Sequence, residues 1–391
     1  MGRRLFLIAG EPSGDRLGAG LMAGLKRLAP DTAFAGVGGP LMAAEGLESL
    51  FPMEDLSVMG IAEVLPRLRQ LLRRRDEAAA AVLEMRPDAL VTIDSPDFCL
   101  RVAARVKAHA PEIRTIHYVA PTVWAWRPQR AEKMAAHIDH VLALYPFEPP
   151  YMEAAGMGCD FVGHPVVEDP VPSAWEATEF RDRHGIAEAA PLLCALPGSR
   201  RGEVTRLAPI FGAALREVLA ERPDARVVIP AAAGVADLVA QLTAGWPGDP
   251  VVLDPRGQAT DAAVQEKYRA FAASDAALAA SGTVSLELAA MATPMVIAYD
   301  MTWMSRQIIR RMMRIDTVTL VNIVTGRKVV PEFLGDACRP KPIAAAMLEL
   351  LGDGRARAAQ LAAAEETMRL LGRDAEDPGL RAARAVLGAI P

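Results

Sequence analysis

The sequence of 391 residues contains only four cysteines, Cys99, Cys159, Cys194 and Cys338, and no CxxC pair among them. This excludes a disulfide scaffold and a thiolate metal site, and it fits reduced thiols in a cytoplasmic protein. A basic excess is missing too. The formal net charge is −5, which excludes nucleic acid as a general partner, because phosphate-backbone binding needs a basic face. No uncharged apolar run reaches the length of about 18 residues that a membrane span requires. The opening "RRLFLIAG" has a basic start, but its apolar run breaks at Glu11 and Pro12, too soon for a signal peptide. Internal repeats, low-complexity tracts and the GxGxxG spacing of a dinucleotide fingerprint are all lacking. Aromatic residues make up 5%, so two tryptophans one residue apart stand out.

What remains is a globular composition, 51% hydrophobic and 23% charged, in a chain long enough for two domains. Apolar runs of strand length at 4–9, 33–37, 88–94, 113–119, 140–146 and 158–162 alternate with helical stretches. The alternation resumes at 191–196, 225–230, 250–253, 275–280 and 294–299. Such alternation predicts parallel sheets covered by helices, with ligand loops at the carboxyl ends of the strands. The Pro-rich, acidic stretch "GHPVVEDPVPSAW" at 163–175 reads as a linker between two doubly wound halves. An Ala-, Leu- and Arg-rich tail beyond about 341 reads as helices.

Three turns carry chemistry. In "GEPSGD", residues 10–15, a strand meets a helix, as at phosphate sites, yet the turn is acidic and has no base. Ser13 is expected to cap a helix starting near Gly14, with Asp15 in its first turn. The alternative role for Glu11 and Asp15 is to hold hydroxyl groups of a sugar. In "LPGSRRGEV", Gly198, Ser199, Arg200 and Arg201 join a strand to a helix, which suits a pyrophosphate. In "AASGTVSLEL", Ser281, Gly282 and Thr283 open another helix, with Glu287 one turn further on the same face. Donors for a phosphate followed by a carboxylate for a ribose diol make a nucleotide arrangement. The plainer reading is a Ser281 cap and a solvated Glu287.

In "IDSPDF", Asp94 ends a buried strand, Ser95 is placed as N-cap, Pro96 as the first helical residue and Asp97 in the first turn. Local structure explains Asp97 and not Asp94, so Asp94 is the candidate general base, against a purely structural bond to a neighbouring loop. "HYVAPTVWAWRPQR" places His117, Trp124, Trp126 and Arg127 at and after a strand end, either packed under the loop or offered to a sugar phosphate or acyl chain.

The ordered set "AGEPSGD", "VMGIAEVL", "IDSPDF", "HYVAPTVWAW", "GHP", "LPGSR", "ASGTVSLELA" and "VNIVTGRKVVPEFL" resembles the lipid-A-disaccharide synthase family across nearly the whole chain. The resemblance implies an α/β, GT-B architecture: two doubly wound Rossmann-like domains facing a central cleft, with C-terminal helices. It places an acceptor-binding, catalytic domain at 1–167, a UDP-sugar-binding domain at 168–345 and helices at 346–391 that can pack back on the first domain. It implies an inverting glycosyltransferase needing no metal and no cofactor, which joins UDP-2,3-diacylglucosamine to 2,3-diacylglucosamine 1-phosphate and releases UDP. The product feeds lipid A, and so Gram-negative outer membrane biogenesis. By resemblance Asp94 is the base and Arg200 stabilises the departing diphosphate. Gly198, Ser199, Ser281, Gly282, Thr283, Glu287 and Asn322 serve the nucleotide, and Glu11, Ser13, Asp15, Trp126 and Arg127 the acceptor.

The acyl chains of such substrates imply a cytoplasmic protein peripheral on the inner membrane, and a homodimer remains open. Residues 57–75 combine Val64, Leu65, Leu68, Leu71 and Leu72 with a cluster of arginines, as a basic amphipathic helix at an anionic surface would. Residues 301–315 repeat that chemistry, with membrane, partner subunit or core as alternatives. Two other readings compete: another GT-B UDP-sugar transferase or epimerase, and a two-domain solute-binding protein without chemistry.

Overall fold

The computed structural model describes residues 2–56, 61–125, 129–301, 315–352 and 354–390, with side chains from 67 onward in the second stretch. The chain divides into two compact units, 1–165 with 371–391, and 166–370. The division falls within the Pro-rich stretch, and of the C-terminal helices only the last, Pro378–Ala389, belongs to the first unit. The helices Pro340–Gly352 and Gly354–Leu370 stay with the second.

In the first unit β1 (Arg4–Ala9), β2 (Ala33–Val37), β3 (Ala89–Ile93), β4 (Arg114–Tyr118), β5 (His140–Ala143) and β6 (Gly158–Phe161) form one sheet. Its order is β2-β1-β3-β4-β5-β6, with parallel pairing throughout. All five residues of β3 are buried, because helices cover both faces and leave no polar side to alternate with. The helix Pro12–Leu28 turns Leu17, Leu21, Met22 and Leu25 inward, one apolar stripe at helical spacing. Pro378–Ala389 lies so close to it that a Cβ on Gly24 would stand 2.5 Å from the Gly379 carbonyl oxygen. Arg381 ties that helix down by donating to Phe161 O at 2.7 Å, with its guanidinium over the Phe161 ring.

The second unit repeats the plan. Strands β7 (Leu192–Leu196), β8 (Arg226–Pro230), β9 (Val251–Leu253), β10 (Ala276–Ala279), β11 (Met295–Tyr299) and β12 (Glu332–Leu334) form a parallel sheet in the order β12-β11-β10-β7-β8-β9. Its core packs Val204, Leu207, Phe211, Leu215 and Val218 of the helix Arg201–Glu221 on Leu193, Ala195, Val227 and Ile229 of the sheet.

Each sheet reverses direction once. From β1 the chain moves outward to β2 and then back to β3 on the other side; from β7 it runs to β8 and β9 and then back to β10. At such a switch point the two neighbouring loops part, and the crevice outside the carboxyl ends takes the ligand. The turns at the two switch points are 10–15 with 94–97, and 197–200 with 280–283.

Candidate active site

At the first switch point four polar side chains meet. Asp94 follows β3 in a left-handed backbone conformation, φ 53°, and Ser95 does the same at φ 42°. Two successive left-handed residues other than glycine cost free energy that the surrounding contacts must offset. The geometry turns the Asp94 carboxylate back on its own turn, where Oδ1 accepts the Ser95 N–H at 2.9 Å and Oδ2 accepts the Ser13 hydroxyl at 3.2 Å. The Ser95 hydroxyl reaches Glu11 Oε1 at 3.4 Å. Gly10 is required here by space, since a Cβ would sit 2.5 Å from Ser95 Oγ. Asp94 is half-buried, whereas the Asp97 side chain is 97% exposed in the first turn of the helix Pro96–His109, with Arg130 at 3.6 Å. Asp94 therefore has the setting of a candidate base, a carboxylate held by donors at a strand end.

The expected helix start at this turn needs correction. The helix starts at Pro12, and Glu11 occupies the N-cap position without a side-chain cap bond. Proline's fixed φ suits the first helical position. Ser13 lies inside the helix, and its hydroxyl is free to serve Asp94 rather than to cap. Asp15, expected among acceptor contacts, is 2% exposed and accepts from the backbone N–H groups of Gly39 at 2.8 Å, Leu41 at 2.9 Å and Met42 at 3.0 Å. It caps the short helix Pro40–Ala44, and both oxygens are already engaged there.

Behind this cluster His117 on β4 bonds Thr92 Oγ1 at 2.8 Å, and burial, aided by the Arg130 charge, lowers its pKa to about 4. Trp124 packs under its loop rather than facing outward. Its Nε1–H donates to Glu148 Oε1 at 3.2 Å, and its ring meets Phe147 edge-on at 5.1 Å. Glu148, 2% exposed, also accepts the N–H groups of Leu144 and Tyr145, and burial pushes its pKa up to about 7. Trp126 and Arg127 lie outside the described residues.

The second switch point opens into a cavity of about 740 Å³ in the second unit. Gly198, Ser199, Arg200, Ser281, Gly282, Thr283 and Glu287 all line it, so seven of the residues read from sequence share one wall system. Gly198 takes φ 121°, which only glycine adopts freely. Ser281 does not cap the helix Val284–Ala290; Thr283 stands at the N-cap position, without a side-chain cap bond. Glu287 is ion-paired and only partly exposed: Lys267 Nζ donates to its Oε2 at 2.9 Å, with the ammonium 4.9 Å from the centre of the Tyr268 ring.

Asn322 lies apart. It is 1% exposed, its Nδ2 donates to Thr317 Oγ1 and Val330 O, and its Oδ1 accepts from the N–H groups of Val329 and Val330. Its amide is engaged on both sides, and it is absent from the cavity wall. These bonds make Asn322 a clamp on the loop before β12.

Sequence reading missed Glu203, Lys267 and the walls after β8 and β9, which include Ala231–Ala233, Asp254 and Gln258. Glu203 had a signal, an acid three residues after Arg200 in a helix first turn. Lys267 had none, because its partner is 20 residues away.

The fold recurs in solved structures. UDP-GlcNAc 2-epimerase from Neisseria meningitidis, bound to UDP-GlcNAc, superposes with a TM-score of 0.59 at 10% identity over 98% of each chain. A glycosyltransferase from Rickettsia africae gives 0.59 at 12% identity over 99% of this chain and 97% of that one. Among curated proteins, lipid-A-disaccharide synthase of Ruegeria pomeroyi is 62% identical over 99% of this chain and 96% of its own length. That of Rhodospirillum centenum is 53% identical over 99% and 94%. The family model for lipid-A-disaccharide synthetase matches residues 5–379, and the chain belongs to that family of glycosyltransferases of lipid A biosynthesis.

Proposed function

We propose that the family's reaction is divided in this chain between the two switch points. The chain is a glycosyltransferase that joins UDP-2,3-diacylglucosamine to 2,3-diacylglucosamine 1-phosphate, giving the lipid A disaccharide 1-phosphate and UDP. Asp94 takes the proton of the acceptor hydroxyl as that oxygen attacks the anomeric carbon from the face opposite the departing UDP. The observation that carries this role is the Asp94 carboxylate at the end of β3, fixed by Ser13 and the Ser95 N–H in a strained turn. Glu11 stands beside it as an acceptor-side hydroxyl partner. On the donor side, negative charge grows on the diphosphate as the sugar leaves. Arg200, the Ser199 N–H and the turn 281–283 stabilise it. Glu287, held by Lys267, takes the ribose diol.

Isothermal titration with UDP tests the donor assignments. Arg200→Ala weakens UDP binding and turnover together, and Glu287→Gln weakens mainly binding. Unchanged affinity in both variants would place the nucleotide elsewhere.

The acyl chains are met, in this reading, at a membrane surface by the start of the helix Ile61–Met85. Leu68 is 41% exposed and Arg67, Arg69 and Gln70 around it are exposed, whereas Ala78, Ala79 and Val82 further along are buried. One helix thus has a buried end and an exposed basic, apolar end, which suits anionic lipid. Val64 and Leu65 lie outside the residues with described side chains, and 302–314 outside the described residues altogether. No described helix is long and apolar enough to cross a membrane.

A further inference from the structure

The turn given to the donor diphosphate already holds an anion of its own. Glu203, in the first turn of the helix Arg201–Glu221, folds back so that its Oε2 accepts the Ser199 N–H at 3.2 Å. Its Oε1 takes Arg200 Nη1 at 3.2 Å and the Tyr299 hydroxyl at 3.3 Å. Gly198 makes room, since a Cβ there would stand 2.7 Å from Glu203 Cβ. Burial, with the Glu203 charge added, raises the Tyr299 pKa, which keeps that hydroxyl protonated as a donor. A carboxylate that only capped the helix would need backbone N–H groups alone. This one also gathers a guanidinium, which with a turn N–H forms the donor set that suits a phosphate oxygen.

We propose that Glu203 is an internal rival of the donor diphosphate. It holds Arg200 and the Ser199 N–H in place until the nucleotide arrives, then yields them, and its charge keeps the product UDP weakly bound. The proposal rests on the placement of the diphosphate at this turn. The exchange is physically easy. The Arg200 side chain is 65% exposed, and an ion pair to so exposed a group contributes little. The Glu203 side chain is only 17% exposed, so it stays beside the diphosphate after the exchange, and like charges at that range repel. The penalty falls on the diphosphate and not on the nucleoside.

Titrations of UDP and of uridine into the full chain separate these contributions. Glu203→Gln keeps the shape and removes the charge, and it is expected to bind UDP roughly three- to tenfold tighter, with uridine unchanged. Tyr299→Phe leaves Oε1 to Arg200 alone and is expected to bind UDP about twofold more weakly, again with uridine unchanged. UDP binding in Glu203→Gln that is unchanged or weaker, or that changes in parallel with uridine, would overturn the proposal in favour of a structural cap. Should Glu203→Gln not fold, Tyr299→Phe decides alone, and unchanged UDP affinity there overturns the proposal. Arg200→Ala tests the underlying placement separately: wild-type UDP affinity in that variant sinks the placement itself.

Discussion

Asn322 and Asp15 show how far a residue's partners can lie from what its neighbours suggest. Each is a buried polar side chain whose hydrogen-bonding atoms meet groups elsewhere in the chain, Asp15 those 24 to 27 residues on. Removing such a group strands its partners in the interior, at about 1–3 kcal/mol for each one left unsatisfied. Asn322→Ala is therefore expected to lower unfolding free energy by about 2–4 kcal/mol in urea titration, with UDP affinity unchanged at equal folded fraction. A loss of UDP affinity without a loss of stability would return Asn322 to the nucleotide. Asp94 drew attention for the opposite reason: at the end of β3 the sequence alone offers no local role for a carboxylate. Its partner Ser13 was misplaced by two helical positions, because the helix starts at Pro12 rather than near Gly14.

Among the elements, strands were the most legible, since parallel strands buried on both faces read as unbroken apolar runs. Every run singled out became a strand in β1 to β11. The exception is β12, three residues opening with Glu332, whose carboxylate accepts from Thr317 and Thr319; so short and polar an edge strand leaves no apolar run to notice. The helix Ile61–Met85 carries a prediction of its own. Replacing Leu68, Leu71 and Leu72 with Ser is expected to release the protein from anionic vesicles in a sedimentation assay while leaving UDP affinity intact. High salt alone is expected to release it only partly, because roughly 25 cal/mol per Å² of apolar contact is not screened. Unchanged sedimentation of the folded triple variant removes this helix as the anchor.

At the scale of the whole molecule, pH sets opposing trends. Burial holds the His117 pKa down to about 4 and the His164 pKa down to about 3, each with a nearby arginine adding to the effect. Both histidines start near 6.5 in the unfolded chain, so the stability they contribute is complete above that pH and declines as pH falls toward 4. Glu148 runs the other way. Its folded pKa of about 7 lies above the unfolded value, so its contribution is complete below about 4.5 and is lost as pH rises through 7. Two histidines outweigh one carboxyl group. A net loss on the order of 3 kcal/mol is expected between pH 6.5 and 4 in urea unfolding, and Glu148→Gln steepens it by removing the opposing gain. A flat profile over that window contradicts the buried neutral histidines.

The central claim is that Asp94 moves the proton, and one measurement tests it most directly. Disaccharide formation by Asp94→Asn, followed by mass spectrometry with a defined diacyl donor and acceptor, is compared with wild type at equal folded fraction. Asparagine matches aspartate in size and tolerates the left-handed conformation, so the turn persists while the proton acceptor is gone. The account predicts a fall in turnover of roughly 10²–10⁴ with UDP affinity unchanged. Turnover near the wild-type rate, or a greater loss in Asp97→Asn, would contradict it.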